Sequence, residues 1–78
     1  MKVRNGDLLK RHIAFNDRKQ ATLAEALGIS LSRLNAKINN SSGAEFNPAE
    51  VAFIRNRYGL SDAETDEIFY SESGVTSH

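Results

Sequence analysis

The stretch SLSRLNAKINN, residues 30–40, concentrates side chains that recognise rather than react. Ser32, Arg33, Asn35, Lys37 and Asn39 offer hydroxyl, guanidinium, amide and ammonium groups on what reads as one short helix. Such groups meet base edges and phosphates when a small polar helix face enters a major groove. The plainer alternative is an ordinary solvated helix face. Bond-making chemistry finds less support. Ser41 and Ser42 follow directly but have no histidine or lysine partner in any nucleophile motif. His12 and His78 are the only histidines, cysteine is absent, and neither histidine has carboxylates at ligand spacing. The acidic run SDAETDE lacks the glycine and the spacing of a calcium loop and reads as the first turns of a helix. No phosphate-cradling glycine motif is present. The sequence therefore points to no enzyme, no metal and no cofactor.

Punctuation and periodicity predict the elements that position these groups. A first helix starts near Gly6 or Asp7, carries Leu9 and Ile13 at i, i+4 with Phe15 nearby, and ends around Asn16. A second covers about Gln20 to Leu27, with Leu23, Ala24 and Leu27 on one face. Gly28 follows it, where a left-handed residue turns the chain sharply without a side-chain clash. Ile29 plugs the underside of that turn, and the small Ala24 lets the next helix cross closely. Ser30 caps the third helix, with Leu31, Leu34 and Ile38 at i, i+3, i+7. At about 100° per residue those three apolar side chains cluster on one side. Ser32, Arg33 and Ala36 then face the other way, Lys37 and Asn39 flank them, and Asn35 lies nearer the boundary.

NNSSGAE reads as a polar loop. FNPAEVAFIRNRYG has the marks of a fourth helix: Asn47 as cap, Pro48 in the first turn, Glu50 completing a capping box, and Gly59 as the stop. Its apolar face is Val51, Ile54 and Tyr58. Ser61 and Glu64 form a second capping box for a fifth helix that runs towards Ile68 and Phe69. SESGVTSH, residues 71–78, shows no periodicity and is expected to be a disordered tail. No stretch alternates as a strand does.

The chain has 78 residues, enough for one small domain in which most large apolar side chains are needed inside. The start, MKVRNGDLLKRHIAF, is broken by charge and does not resemble a signal peptide. No run approaches the length of a membrane span. A zero net charge hides a split: residues 1–40 carry eight basic and three acidic side chains, a net +5, and residues 41–78 carry two and seven, a net −5. A basic half suggests a polyanion as partner, although the halves could instead complement each other within one molecule.

The run QATLAEALGISLSRLNAKINN resembles the helix-turn-helix of phage Cro and repressor proteins, the XRE-type family. Gln20 opens the second helix, Leu23–Ala24 follow, Gly28–Ser30 form the turn, and Leu34 and Ile38 anchor the recognition helix. A weaker likeness to small phage regulators extends through EFNPAEVAFIRNRYGLSDAETDEIF. The resemblance implies roles for the matching positions. Gln20 holds a phosphate and buttresses the recognition helix. Ser32 and Arg33 approach base edges, with Asn35 and Ala36 further along the groove. Lys37 flanks the face and is expected on phosphate, and Asn39 and Asn40 bond the phosphate backbone at its exit. Two positions depart from the pattern. Leu31 stands where relatives often place a glutamine that reads adenine; it could meet a thymine methyl or pack inward, and packing is the expectation. Lys19 stands where relatives cap the second helix, so either Asp17 caps it from further back or Lys19 is itself a phosphate contact.

The expected fold is all-α: a compact five-helix, lambda-repressor-like domain over residues 1–70, with the helix-turn-helix at helices 2 and 3. The expected function is sequence-specific binding of double-stranded DNA by a Cro-like transcriptional regulator of phage or bacterial type, in the cytoplasm on the nucleoid. The competing expectation is a protein-interaction module on the same fold, an antirepressor or antitoxin-type partner without DNA readout. A homodimer, weak or DNA-induced, is expected on palindromic half-sites. Its contact is expected in the acidic half through Phe69 and Tyr70, unless Phe69 closes the monomer core.

Overall fold

In the computed structural model, which describes residues 1–69, the chain winds into five α-helices. These are α1 (Gly6–Asn16), α2 (Gln20–Leu27), α3 (Leu31–Ile38), α4 (Pro48–Tyr58) and α5 (Asp62–Ile68), with a 3-10 turn at Ser41–Gly43 between α3 and α4. The protein is all-α, as its periodicity predicts. Tyr70 and the expected tail over 71–78 lie outside the described residues.

Each helix begins where a side chain or a turn can satisfy its first N–H groups. Asn5 caps α1 by accepting from the Leu8 N–H, and Ser30 caps α3 by accepting from that of Arg33. Asn47 with Glu50, and Ser61 with Glu64, form complete capping boxes on α4 and α5. Only α2 starts without a side-chain cap. Asp17 does not supply one, because its carboxylate is turned towards α4.

The core draws on every helix. Leu9 and Ile13 of α1, Leu23 and Ala24 of α2, Leu34 and Ile38 of α3, Val51 and Ile54 of α4 and Ile68 of α5 are all buried. The N-terminal segment closes one side of it. Val3 forms an antiparallel bridge with Phe69, and the Ile68 carbonyl accepts from the N–H groups of Arg4 at 2.6 Å and Asn5 at 3.1 Å. Beneath that bridge Phe46 and Phe69 meet edge to face, ring centroids 5.5 Å apart. Phe69 is 1% exposed, so it completes the monomer core and is not free to join two subunits.

Two other apolar residues depart from the periodic reading. Phe15 points away from the α1 core face and is 86% exposed. Leu31, expected inside with Leu34 and Ile38, is 43% exposed at the start of α3. The reason is geometric: Leu31 occupies the first position of α3, before the helix has turned onto the core.

Candidate nucleic-acid interface

The junction of α2 and α3 fixes the direction of α3. Gly28 adopts φ 75°, ψ 28°, a left-handed conformation that a side chain would strain. Its N–H donates to the Glu25 carbonyl at 3.1 Å and that of Ile29 to Ala24 at 3.0 Å, so the last carbonyls of α2 are satisfied as the chain reverses. Ile29 is half-buried under the turn and packs on the core. At the far end of α3 a second glycine permits close packing. A Cβ on Gly6 would stand 3.3 Å from the Ile38 carbonyl oxygen, so its absence lets α1 start directly against the last turn of α3.

The face of α3 left outside carries Ser32 and Arg33, both exposed, with Asn35 and Ala36 half-buried beside them and Asn39 exposed at the exit. Along one edge runs an open groove of about 490 Å³ between α3 and the turn that follows it. Ser30, Ser32, Arg33 and Ala36 form one wall; Ser41, Ser42, Gly43 and Ala44 form the other. Every side chain on it is small or hydroxylated except the single guanidinium. From the sequence, Ser41 and Ser42 of the second wall were weighed only as nucleophiles, and Gly43 and Ala44 only as part of a polar loop. The wall's only signal was the small, polar composition of NNSSG immediately after the helix.

Two residues expected on phosphate are otherwise engaged. The Lys37 ammonium is buried and binds both oxygens of Glu50, at 2.8 and 3.0 Å, while lying 5.8 Å from the centre of the Phe46 ring. One Glu50 oxygen also accepts from the Asn47 N–H at 2.9 Å, so Lys37 ties α3 to the capping box of α4. Burial pushes the Glu50 carboxyl up, but the hydrogen bonds from Lys37 and Asn47 hold it below its ordinary value. Asn40 is occupied by the N-terminal segment. Its amide accepts from the Val3 N–H and donates to the Val3 carbonyl, both at 2.9 Å. Both side chains position α3 instead of reaching outward.

At the other end of the face lies the uncapped start of α2. Lys19 is exposed there and Gln20 half-buried, where the partial positive charge of the helix terminus and the ammonium reinforce each other. This corner is held from behind. Asp17 accepts from Arg57 Nε at 3.0 Å, from Arg57 Nη2 at 2.7 Å and from the Tyr58 hydroxyl. The Arg57 hydrogen bonds lower the Asp17 carboxyl despite its desolvation. Burial and the same carboxylate raise the Tyr58 phenol.

The arrangement can donate hydrogen bonds and positive charge to an extended anion. Among the described residues no group of three or more histidine or acidic side chains could hold a metal ion. No described helix is long and apolar enough to cross a membrane. No protein-family model, curated protein or solved structure matches the chain.

Proposed function

We propose that the protein binds double-stranded DNA sequence-specifically and regulates transcription, as the resemblance to Cro-like helix-turn-helix proteins implies. The observation that carries this reading is the exposed face of α3: Ser32 and Arg33 stand clear of the core while Lys37, Asn40 and Gly6 fix the helix from behind. In this reading α3 enters the major groove, Arg33 and Ser32 meet base edges, and Asn35 and Ala36 lie deeper along the same face. Lys19 and the start of α2 bind one phosphate, Asn39 another, and Gln20 braces the junction. Leu31, exposed beside Ser32, supplies an apolar contact suited to a thymine methyl. One short helix covers few base pairs, so two copies on adjacent sites supply the specificity that one lacks. A regulator of this kind works on the nucleoid.

A specific observation favours a second reading. Lys37 withdraws one positive charge from the face and Leu31 adds an apolar side chain to it, which suits a protein partner without DNA readout. Selection of bound duplexes from a random library separates the two. The DNA reading predicts enrichment of a short shared sequence. Recovery of unenriched sequence supports the interaction module.

A further inference from the structure

Arg33 and Lys37 stand one turn apart on α3, and only Lys37 is tied down. At about 100° per residue they lie on the same flank, their Cβ atoms about 5–6 Å apart, with Lys37 nearer the core. Burial agrees with that placement: Lys37 is buried and Arg33 exposed. Arg33 forms no ion pair among the described residues.

A carboxylate nevertheless lies close to it. Glu50 keeps 13% of its side chain exposed, so a second cation can approach it. Oε1 accepts from Lys37 at 2.8 Å and from the Asn47 N–H at 2.9 Å, and Oε2 accepts from Lys37 at 3.0 Å. Each carboxylate oxygen has two acceptor positions, so Oε2 has room for another donor. Burial raises the Glu50 carboxyl and the bonds from Lys37 and Asn47 lower it. The charge of Arg33 lowers it further, so the guanidinium is near enough to act. A guanidinium fork also matches a carboxylate better than an ammonium does.

Lys37 reaches Glu50 from the core side. Its ammonium bonds both oxygens and lies 5.8 Å from the centre of the Phe46 ring, a position that an outward residue does not share. With that charge in place the carboxylate is neutralised, and an exposed second cation gains little by leaving water for it. Without it, a half-desolvated carboxylate would face a free guanidinium one turn away.

We propose that Lys37 is a positioning residue for Arg33: by holding both oxygens of Glu50 it keeps that carboxylate from capturing the guanidinium, and so leaves Arg33 free to reach a base edge. The reach to DNA rests on the function proposed above; the capture does not. Capture from the rim replaces only part of the buried ammonium, so Lys37 variants still lose stability.

Thermal melts without DNA test the capture. Arg33→Ala should move the wild-type melting temperature by no more than about 3 °C, as an exposed side chain without a partner does. In Lys37→Met the same change removes the substitute partner of Glu50 and should lower the melting temperature by a further 4–8 °C or about that. Lys37→Gln keeps one donor for Glu50 but no charge, so it carries the same comparison if Lys37→Met does not fold. Equal effects of Arg33→Ala with and without Lys37 would overturn the proposal, whatever the protein binds. On duplexes selected by the wild type, Lys37→Met should lose the preference that Arg33→Ala loses, about tenfold, and adding Arg33→Ala should change nothing more. Combining Lys37→Met with Glu50→Gln removes the captor and should restore the preference. A loss shared by all duplexes, or one that Glu50→Gln does not recover, would make Lys37 a structural tie alone and overturn the proposal. A wild type that selects no sequence would sink the DNA reading, while the melts still decide the capture.

Discussion

At the scale of single residues, the proposed function assigns base reading to Arg33 and phosphate holding to Lys19. Arg33 is exposed on the outward face of α3, and its backbone N–H is already used by the Ser30 cap, so its guanidinium is fixed in origin but free to reach a base edge. Arg33→Ala should cost about 1–3 kcal/mol on the best site and relax preference at one or two base pairs. Lys19→Ala should weaken all sequences alike and lower the salt slope by about one. Titrations of each variant on selected and scrambled duplexes distinguish them. Equal losses for Arg33→Ala on both would remove it from base reading. The outward set of Ser32 and Arg33 was legible in the sequence because helical angle alone places it. Lys37 and Asn40 were not, because their partners are remote: Glu50 lies 13 positions away from Lys37 and Val3 lies 37 away from Asn40. A long polar side chain at a helix flank looks the same in a sequence whether water or a buried carboxylate receives it.

At the scale of elements, the connection between α3 and α4 is the feature that sequence reasoning could not supply. Both capping boxes and the Gly28 turn were legible, since each is a local pattern with a local cause. The further use of Glu50, as cap for α4 and as acceptor for α3, required the two helices to be packed. Lys37→Met should therefore be costly, because it leaves a nearly buried carboxylate without its counter-charge. Breaking such a pair costs about 3 kcal/mol or more, which for a domain this small lowers the melting temperature by about 12–24 °C. Replacing both partners by apolar residues should restore much of that loss, and calorimetry of single and double variants measures it. If Lys37→Met melts with wild type, the ion pair does not hold α3.

The acid response follows from the same links. Asp17 and Glu50 both titrate below their ordinary values of 3.8 and 4.5 in the folded protein. As pH falls, the unfolded chain takes up these protons first. Their stabilisation is therefore complete above the ordinary values and is lost as pH drops through the lowered folded ones. Glu50→Gln should flatten the fall of melting temperature with acid over that window. A variant that matches the wild-type acid profile would show that this carboxyl contributes nothing there.

At the scale of the whole molecule, charge and core divide the chain in different ways. The N-terminal half is basic and the C-terminal half acidic, yet the core is built jointly, and Lys37–Glu50 and Asp17–Arg57 cross between the halves. Part of the charge asymmetry is thus internal. The remainder, chiefly Lys2, Lys10, Arg11, Arg18, Lys19 and Arg33, stays on the basic half. The helices were legible because amphipathic spacing is imposed by the core. The burial of Phe69 was not, because it depends on how the N-terminal segment and α5 close over Phe46. The measurement that bears most directly on the proposed function is the affinity of the full chain for its selected duplex across a series of salt concentrations. If the α3 face and the start of α2 meet DNA, log affinity should fall linearly with log salt at a slope of about −3 to −5, from about four or five phosphate contacts. A flat response, with no complex at micromolar protein in low salt, would contradict it.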